Sequence, residues 1–275
     1  MKNVLYYVTL AVFLLSGCAK ESNEVPFIKG EPLGVCGVTA EANEESKAEV
    51  EVVGRDGFRL VEFNADKLLQ QSVWKKTDGS WKPESEIMPV DGGHLVAVFP
   101  AGDEMSGLVY TFKAGVNNMF SVQDINRADT NKAEIEFKHA MCQIEFLIKN
   151  KKGDVIGLGN GNGQVSGLTM MQPSEVVYDM SDGSRKQLGA DVSLPLKADK
   201  RNYVIPGGEK YLVEAVYKNA SGESEKYSKT PEIKFERNKK YVVTFILDIE
   251  GDNKQLDISV AVESWNVEDV DCELV

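Results

Sequence analysis

Two runs near the end of the chain constrain its fold more than any other feature. In residues 241–249, Tyr241, Val243, Phe245, Leu247 and Ile249 alternate with Val242, Thr244, Ile246 and Asp248. In residues 256–262, Leu256, Ile258, Val260 and Val262 alternate with Asp257, Ser259 and Ala261. Successive side chains of a strand point to opposite faces, so each run reads as a half-buried antiparallel strand. Shorter runs of the same character recur at 35–38, 58–63, 94–99, 108–112, 164–171, 175–179, 192–196, 203–205, 211–217 and 233–235.

Turn chemistry separates these runs. Gly54-Arg55-Asp56-Gly57 sits between Val50, Val52, Val53 and the run from Phe58, as in a hairpin. Asp78-Gly79 between Trp74 and Trp81 is a strong two-residue hairpin signal. Only 66–71 and 123–128 offer short helical patterns. Many short strands with regular turns predict an all-β chain of two sandwiches.

The longest strand-like stretch is 134–148. Ile135 and Phe137 occupy odd positions there, whereas Ile144, Phe146 and Ile148 occupy even ones. The phase slips between Ala140 and Gln143, which implies a bulge or a crossing between sheets. Residues 153–163, GDVIGLGNGNG, read as a loose glycine-rich boundary. The expected organisation is a leader over 1–17, a tether and first strand over 18–47, an N-terminal sandwich over 48–152, and a C-terminal sandwich over 153–275.

The N-terminus carries a separate signal. Lys2 precedes an apolar stretch from Val4 to Leu15, too short to span a bilayer, which needs roughly 20 apolar residues. Leu15-Ser16-Gly17-Cys18 resembles the lipobox of bacterial lipoproteins. That resemblance implies cleavage between Gly17 and Cys18 and acylation of Cys18, with an ordinary secretory signal as the plainer alternative. Several acyl chains on one cysteine anchor stably where a single chain is marginal. Cys36, Cys142 and Cys272 remain; three thiols cannot all pair, though a Cys36–Cys272 disulfide is open if the termini meet.

The formal net charge of −12 argues against nucleic acid as a partner. No Cys/His spacing suggests zinc, and no catalytic motif with a positioned nucleophile is present. Of the two histidines, His139 shares the apolar parity of Ile135 and Phe137 and reads as a core residue, while His94 reads as a surface or edge residue. Gly157 to Gly163 lacks the spacing and the following helix of a dinucleotide loop. The expectation is a protein without enzymatic activity, cofactor or metal.

Lys234-Phe235-Glu236-Arg237-Asn238-Lys239-Lys240-Tyr241, the strand after it, Glu250-Gly251, and a last strand ending in Glu263-Ser264-Trp265 resemble the end of a fimbrillin, the subunit family of type V pili. Phe137-Lys138-His139-Ala140 with Ile144-Glu145-Phe146, Ser166-Gly167-Leu168 and the run from Val96 to Pro100 are similar to other strands of that family. The resemblance implies two tandem transthyretin-like β-sandwiches, export as an outer-membrane lipoprotein, and a place at the cell surface in a fimbrium. It implies partners that are other pilus subunits, joined by strand exchange: a leading strand leaves and a neighbour's C-terminal segment replaces it.

On that basis the displaced strand falls around Leu33, Val35 and Val38, and the donor is the tail after Trp265, with Val267, Val270 and Leu274 as plugs. The spacing of those plugs, three then four, is not a clean alternation. Subunits of the fimbrillin shaft are cut after an arginine, yet none lies between Cys18 and Gly54, which leaves shaft, anchor and tip roles open. The surface ligand is unspecified. The rival reading is a surface glycan-binding lipoprotein in which Trp74 and Trp81 stack on sugar rings. A glycosidase with an unrecognised carboxylate pair is a third.

Overall fold

The computed structural model describes residues 30–43, 46–48, 57–90, 92–124, 131–198, 201–250 and 255–263. Among them the regular structure is entirely β. The strands are β1 (Gly34–Asn43), β2 (Ser46–Ala48), β3 (Phe58–Asn64), β4 (Lys67–Thr77), β5 (Ser80–Pro83), β6 (His94–Phe99), β7 (Val109–Lys113), β8 (Met119–Asp124), β9 (Lys132–His139) and β10 (Cys142–Asn150). They continue as β11 (Gln164–Pro173), β12 (Glu175–Asp179), β13 (Ser184–Leu188), β14 (Asp191–Pro195), β15 (Asn202–Val204), β16 (Val213–Lys218), β17 (Ser224–Lys229), β18 (Lys240–Leu247) and β19 (Leu256–Glu263).

The first half forms one eight-stranded sheet in the order β2-β1-β9-β8-β6-β3-β4-β5. It curls until β1 lies beside β5, so one face closes around Phe58, Leu60, Trp74, Leu95 and Phe137. The other face of β3 and β6 carries Val61, Phe63, Val96 and Val98, which pack against a three-stranded sheet, β13-β12-β7. Buried on both sides, β3 shows no alternation between Phe58 and Phe63. The second half is a sandwich of β15-β10-β18-β19 over β14-β11-β16-β17, its core built from residues such as Ile144, Leu168, Val213 and Phe245.

The slip in 134–148 marks a change of sheet. Ala133, Ile135, Phe137 and His139 of β9 are buried in the first half, whereas β10 pairs with β18 in the second. The chain crosses at Ala140-Met141, where Asn118 O accepts from Ala140 N (2.8 Å) and Met141 O accepts from Asn238 N (2.9 Å). β10, which falls inside the expected 48–152 segment, therefore belongs to the second sandwich's sheets. The halves are also joined elsewhere, since β7 pairs with β12.

Four local expectations are corrected. Residues 67–71 are strand, because pairing with β3 overrides their short helical pattern. The described part of 123–128 is the end of β8. β18 is antiparallel to β19 but parallel to β10. Residues 157–163 are an ordered turn: Gly159 N donates to Val165 O (2.8 Å), Gly163 N to Lys218 O (2.7 Å), and Gly161 N to Gln164 Oε1 (2.9 Å). The hairpin at Asp78-Gly79 forms as its residues require, with φ of 51° and 77°.

Candidate functional site

The first sheet has one parallel pairing, and it lies where the leading strand joins. β1 runs alongside β9, with Val35 opposite Ala133, Val38 opposite Ile135 and Ala40 opposite Phe137. On its other edge β9 meets β8 only through His139 and Lys138. Over 132–137, β1 is therefore the sole strand partner of β9 among the described residues. The carbonyl of Glu134 takes a bond from Gln123 Nε2 at 2.7 Å.

The approach to β1 is clamped from two sides. Leu33 N donates to Ile87 O (2.8 Å), and Gly34 N donates to Asn131 O (2.7 Å). Asn131 Nδ2 donates to Glu31 O (2.8 Å). Leu33 and Val38 are buried at 3% and 1% exposure, and Val35 packs against the same core. A simple strand would turn Leu33, Val35 and Gly37 to one face. A bulge between Val35 and Gly37 inserts Cys36 as an extra residue and brings Val38 inward instead. Cys36 is exposed, and its thiol donates to Ala133 O at 3.4 Å. Each buried aliphatic side chain stabilises the seat by about 1.5–3 kcal/mol.

After Asn43 the chain turns back as β2, which pairs only with β1 among the described residues. Residues 30–48 thus form an end unit held mainly by β9 and by the carbonyl of Ile87. Without it, the backbone of β9 and an apolar trough lined by Ile87, Ile135 and Phe137 would face water. Ile87 and Asn131 escaped the sequence reading because both lie in loops. The apolar Ile87-Met88-Pro89-Val90 run was the available signal.

Glu62 is buried on β3, where Oε1 accepts from Val90 N (2.7 Å) and Oε2 from Gln70 Nε2 (2.7 Å), which ties down the loop that carries Ile87. His139 is buried, with Nδ1 3.1 Å from Asn117 Oδ1, and burial lowers its pKa to about 3. It is a neutral core residue at the end of β9. His94 opens β6 and is exposed.

The tryptophan platform does not form. Trp74 is 1% exposed and stacks on Phe58 with centroids 6.5 Å apart, while Trp81 meets Phe58 edge-on at 5.1 Å. Both rings pack toward the core, so they do not present a joint face to a sugar. Gly17, Cys18, Val267, Val270, Cys272 and Leu274 lie outside the described residues. Cys36 and Cys142 are free thiols, and burial raises the pKa of Cys142. Among the described residues, no cluster of His, Cys, Asp or Glu is placed to hold a metal ion, and no helix is long and apolar enough to cross a membrane.

Solved structures of Bacteroides proteins share this architecture. A candidate cell adhesion protein from Bacteroides ovatus superposes with a TM-score of 0.56 at 15% identity, over 86% of this chain and 98% of that one. Another from Bacteroides uniformis gives 0.55 at 17% identity, over 77% and 92%. A fimbrial protein from Bacteroides vulgatus gives 0.52 at 14% identity, over 86% and 99%. At such identities these likenesses establish a common fold. No curated protein sequence matches significantly. The family model described as fimbrillin-like matches residues 21–265, and this chain therefore belongs to the fimbrillin-like family.

Proposed function

We propose that this chain is a subunit or accessory component of a cell-surface pilus, carried to the outer membrane as a lipoprotein acylated at Cys18 and assembled by strand exchange. Its role is structural and supports adhesion. The observation that carries the reading is the seat of β1, an inserted strand whose backbone and apolar side chains complete the first core but whose connection to the rest of that core is confined to one edge. Removing such a strand exposes unpaired backbone and an apolar trough. An extended segment from another subunit satisfies both at once.

The position of β3 reopens the question of a cut. The first described strand after the end unit begins at Phe58, and Arg55 lies between β2 and β3 in the sequence. Cleavage after Arg55 would release Cys18 together with β1 and β2 and leave the remaining strands intact. A chain cut there would serve in the shaft. A chain left uncut would keep its lipid and its own strand, and would serve as an anchor.

The test uses the full chain with a specific protease site inserted between Ala48 and Gly57. After cleavage and incubation, the protein is run in detergent without boiling. Ladders of detergent-resistant oligomers are expected, because exchanged strands dissociate slowly. A cut protein that stays monomeric, or precipitates without ladders, would contradict the proposal.

A further inference from the structure

We infer that the vacated seat accepts residues 265–270 of a second copy, running parallel to β9 in one fixed register. This rests on the strand-exchange reading above and specifies the partner segment. The bulge sets the requirement. Because Cys36 is an extra residue, the seat takes apolar side chains spaced two and then three apart, at Leu33, Val35 and Val38. An unbulged strand with that spacing would turn its third apolar residue to the wrong face.

The tail repeats the spacing. Trp265, Val267 and Val270 stand two and then three apart, and they place valine where β1 has Val35 and valine where it has Val38. The plugs expected from sequence, Val267, Val270 and Leu274, were thus framed one residue too late. In this register Cys272 corresponds to Ala40, where pairing with β9 ends, and Leu274 lies past it.

The residues between the plugs also fit. Asn266 and Asp269 replace Gly34 and Gly37, and neither glycine has a positive φ. A Cβ at Gly34 would come 3.8 Å from Asn131 O, and one at Gly37 would come 3.7 Å from Glu134 Cγ; both are ordinary contacts. Glu268 replaces the exposed Cys36 and so keeps its charge in water. Trp265 is larger than Leu33, but Leu33 is the outermost plug and follows the exposed Glu31 and Pro32, so that end of the seat has room toward solvent. The register brings Asp269 opposite Glu134, a like-charge pair at an exposed position, which makes that pair a reporter.

The test mixes two full-length proteins, both with the protease site between Ala48 and Gly57 and both with Cys36→Ser and Cys272→Ser. One carries Glu134→Cys and the other Asp269→Cys. After cleavage, a short bismaleimide should join the two copies. A donor carrying Asp271→Cys instead, a slip of two residues, should not be joined. Cross-linking from Asp271→Cys in place of Asp269→Cys, or detergent-resistant ladders with no cross-link at all, would overturn the register while leaving strand exchange standing. Absence of ladders from the cut parent would overturn both. Independently, Val267→Asp or Val270→Asp should lower ladder yield roughly ten- to hundredfold, in line with loss of a buried aliphatic group, while Leu274→Asp leaves it unchanged. The opposite ranking would refute the assignment.

Discussion

Val38 and Ile135 face each other across the parallel junction of β1 with β9, and both are buried in the core that Phe58 and Phe137 share. The pair connects the leading segment to the stability of the first sheet. Val38→Ala should destabilise that half by about 1–3 kcal/mol in urea unfolding, since it removes two buried methyl groups from a packed site. Val155→Ala, at a position 69% exposed, should change stability by less than about 0.5 kcal/mol.

Arg59 holds the segment after β6. Its Nε donates to Ala101 O (3.1 Å) and a terminal nitrogen donates to Gly102 O (3.1 Å). Gln71 completes the latch, accepting from Met105 N (3.0 Å) and donating to Met105 O (3.1 Å). Met105 is thereby seated in the core between the first sheet and β12. Arg59→Met should leave two carbonyls unpaired, cost about 1–3 kcal/mol, and open residues 101–106 to limited proteolysis.

His139 makes the end of β9 sensitive to acid. Burial lowers its pKa from 6.5 to about 3, so the unfolded chain takes up the proton first as pH falls. The stability tied to neutral His139 is full above the unfolded value and declines as pH drops from there toward the folded one. The slope reaches at most about 1.4 kcal/mol per pH unit. His139→Gln should flatten the fall in unfolding free energy between about pH 6.5 and about pH 4.5. An unchanged slope would show that other groups account for it.

β7 and β12 join the two halves, with Val176 opposite Phe112 and both buried. Tyr178 on β12 reinforces the link by donating to Ala140 O (3.2 Å), at the crossing between β9 and β10. Phe112→Ala should therefore destabilise by about 3–5 kcal/mol. It should also separate a single calorimetric transition into two. Retention of one transition would mean that the halves couple through other contacts.

Much of the fold was readable because its signals are local. Alternation identifies β18 and β19 whatever their neighbours, and Asp78-Gly79 specifies its turn through backbone φ alone. The phase slip near Ala140 was visible because it is a property of one chain segment. The misreadings share a physical cause, namely that the deciding contact lies far away in sequence. Alternation along β18 does not record that β10 runs parallel to it. Residues 67–71 are strand because β3 pairs with them.

The glycines of 157–163 suggested looseness, yet Gly159 and Gly161 leave the space that the Gln164 amide occupies to organise the turn. Trp74 and Trp81 read equally well as a surface platform or a packed pair until the curl of the sheet placed Phe58 against both. Within the candidate site, Leu33, Val35 and Val38 were legible as an apolar run. The bulge at Cys36 was not, because it arises from pairing with β9.

Hydrogen exchange at the amides of residues 133–137 tests the central claim most directly. These amides should be protected in the intact chain. They should exchange rapidly once the protein is cut between Ala48 and Gly57 and stripped of its leading segment, and regain protection as oligomers form. Protection that persists after the segment has gone, or oligomers in which those amides stay exposed, would contradict the claim that β9 offers its edge to another subunit.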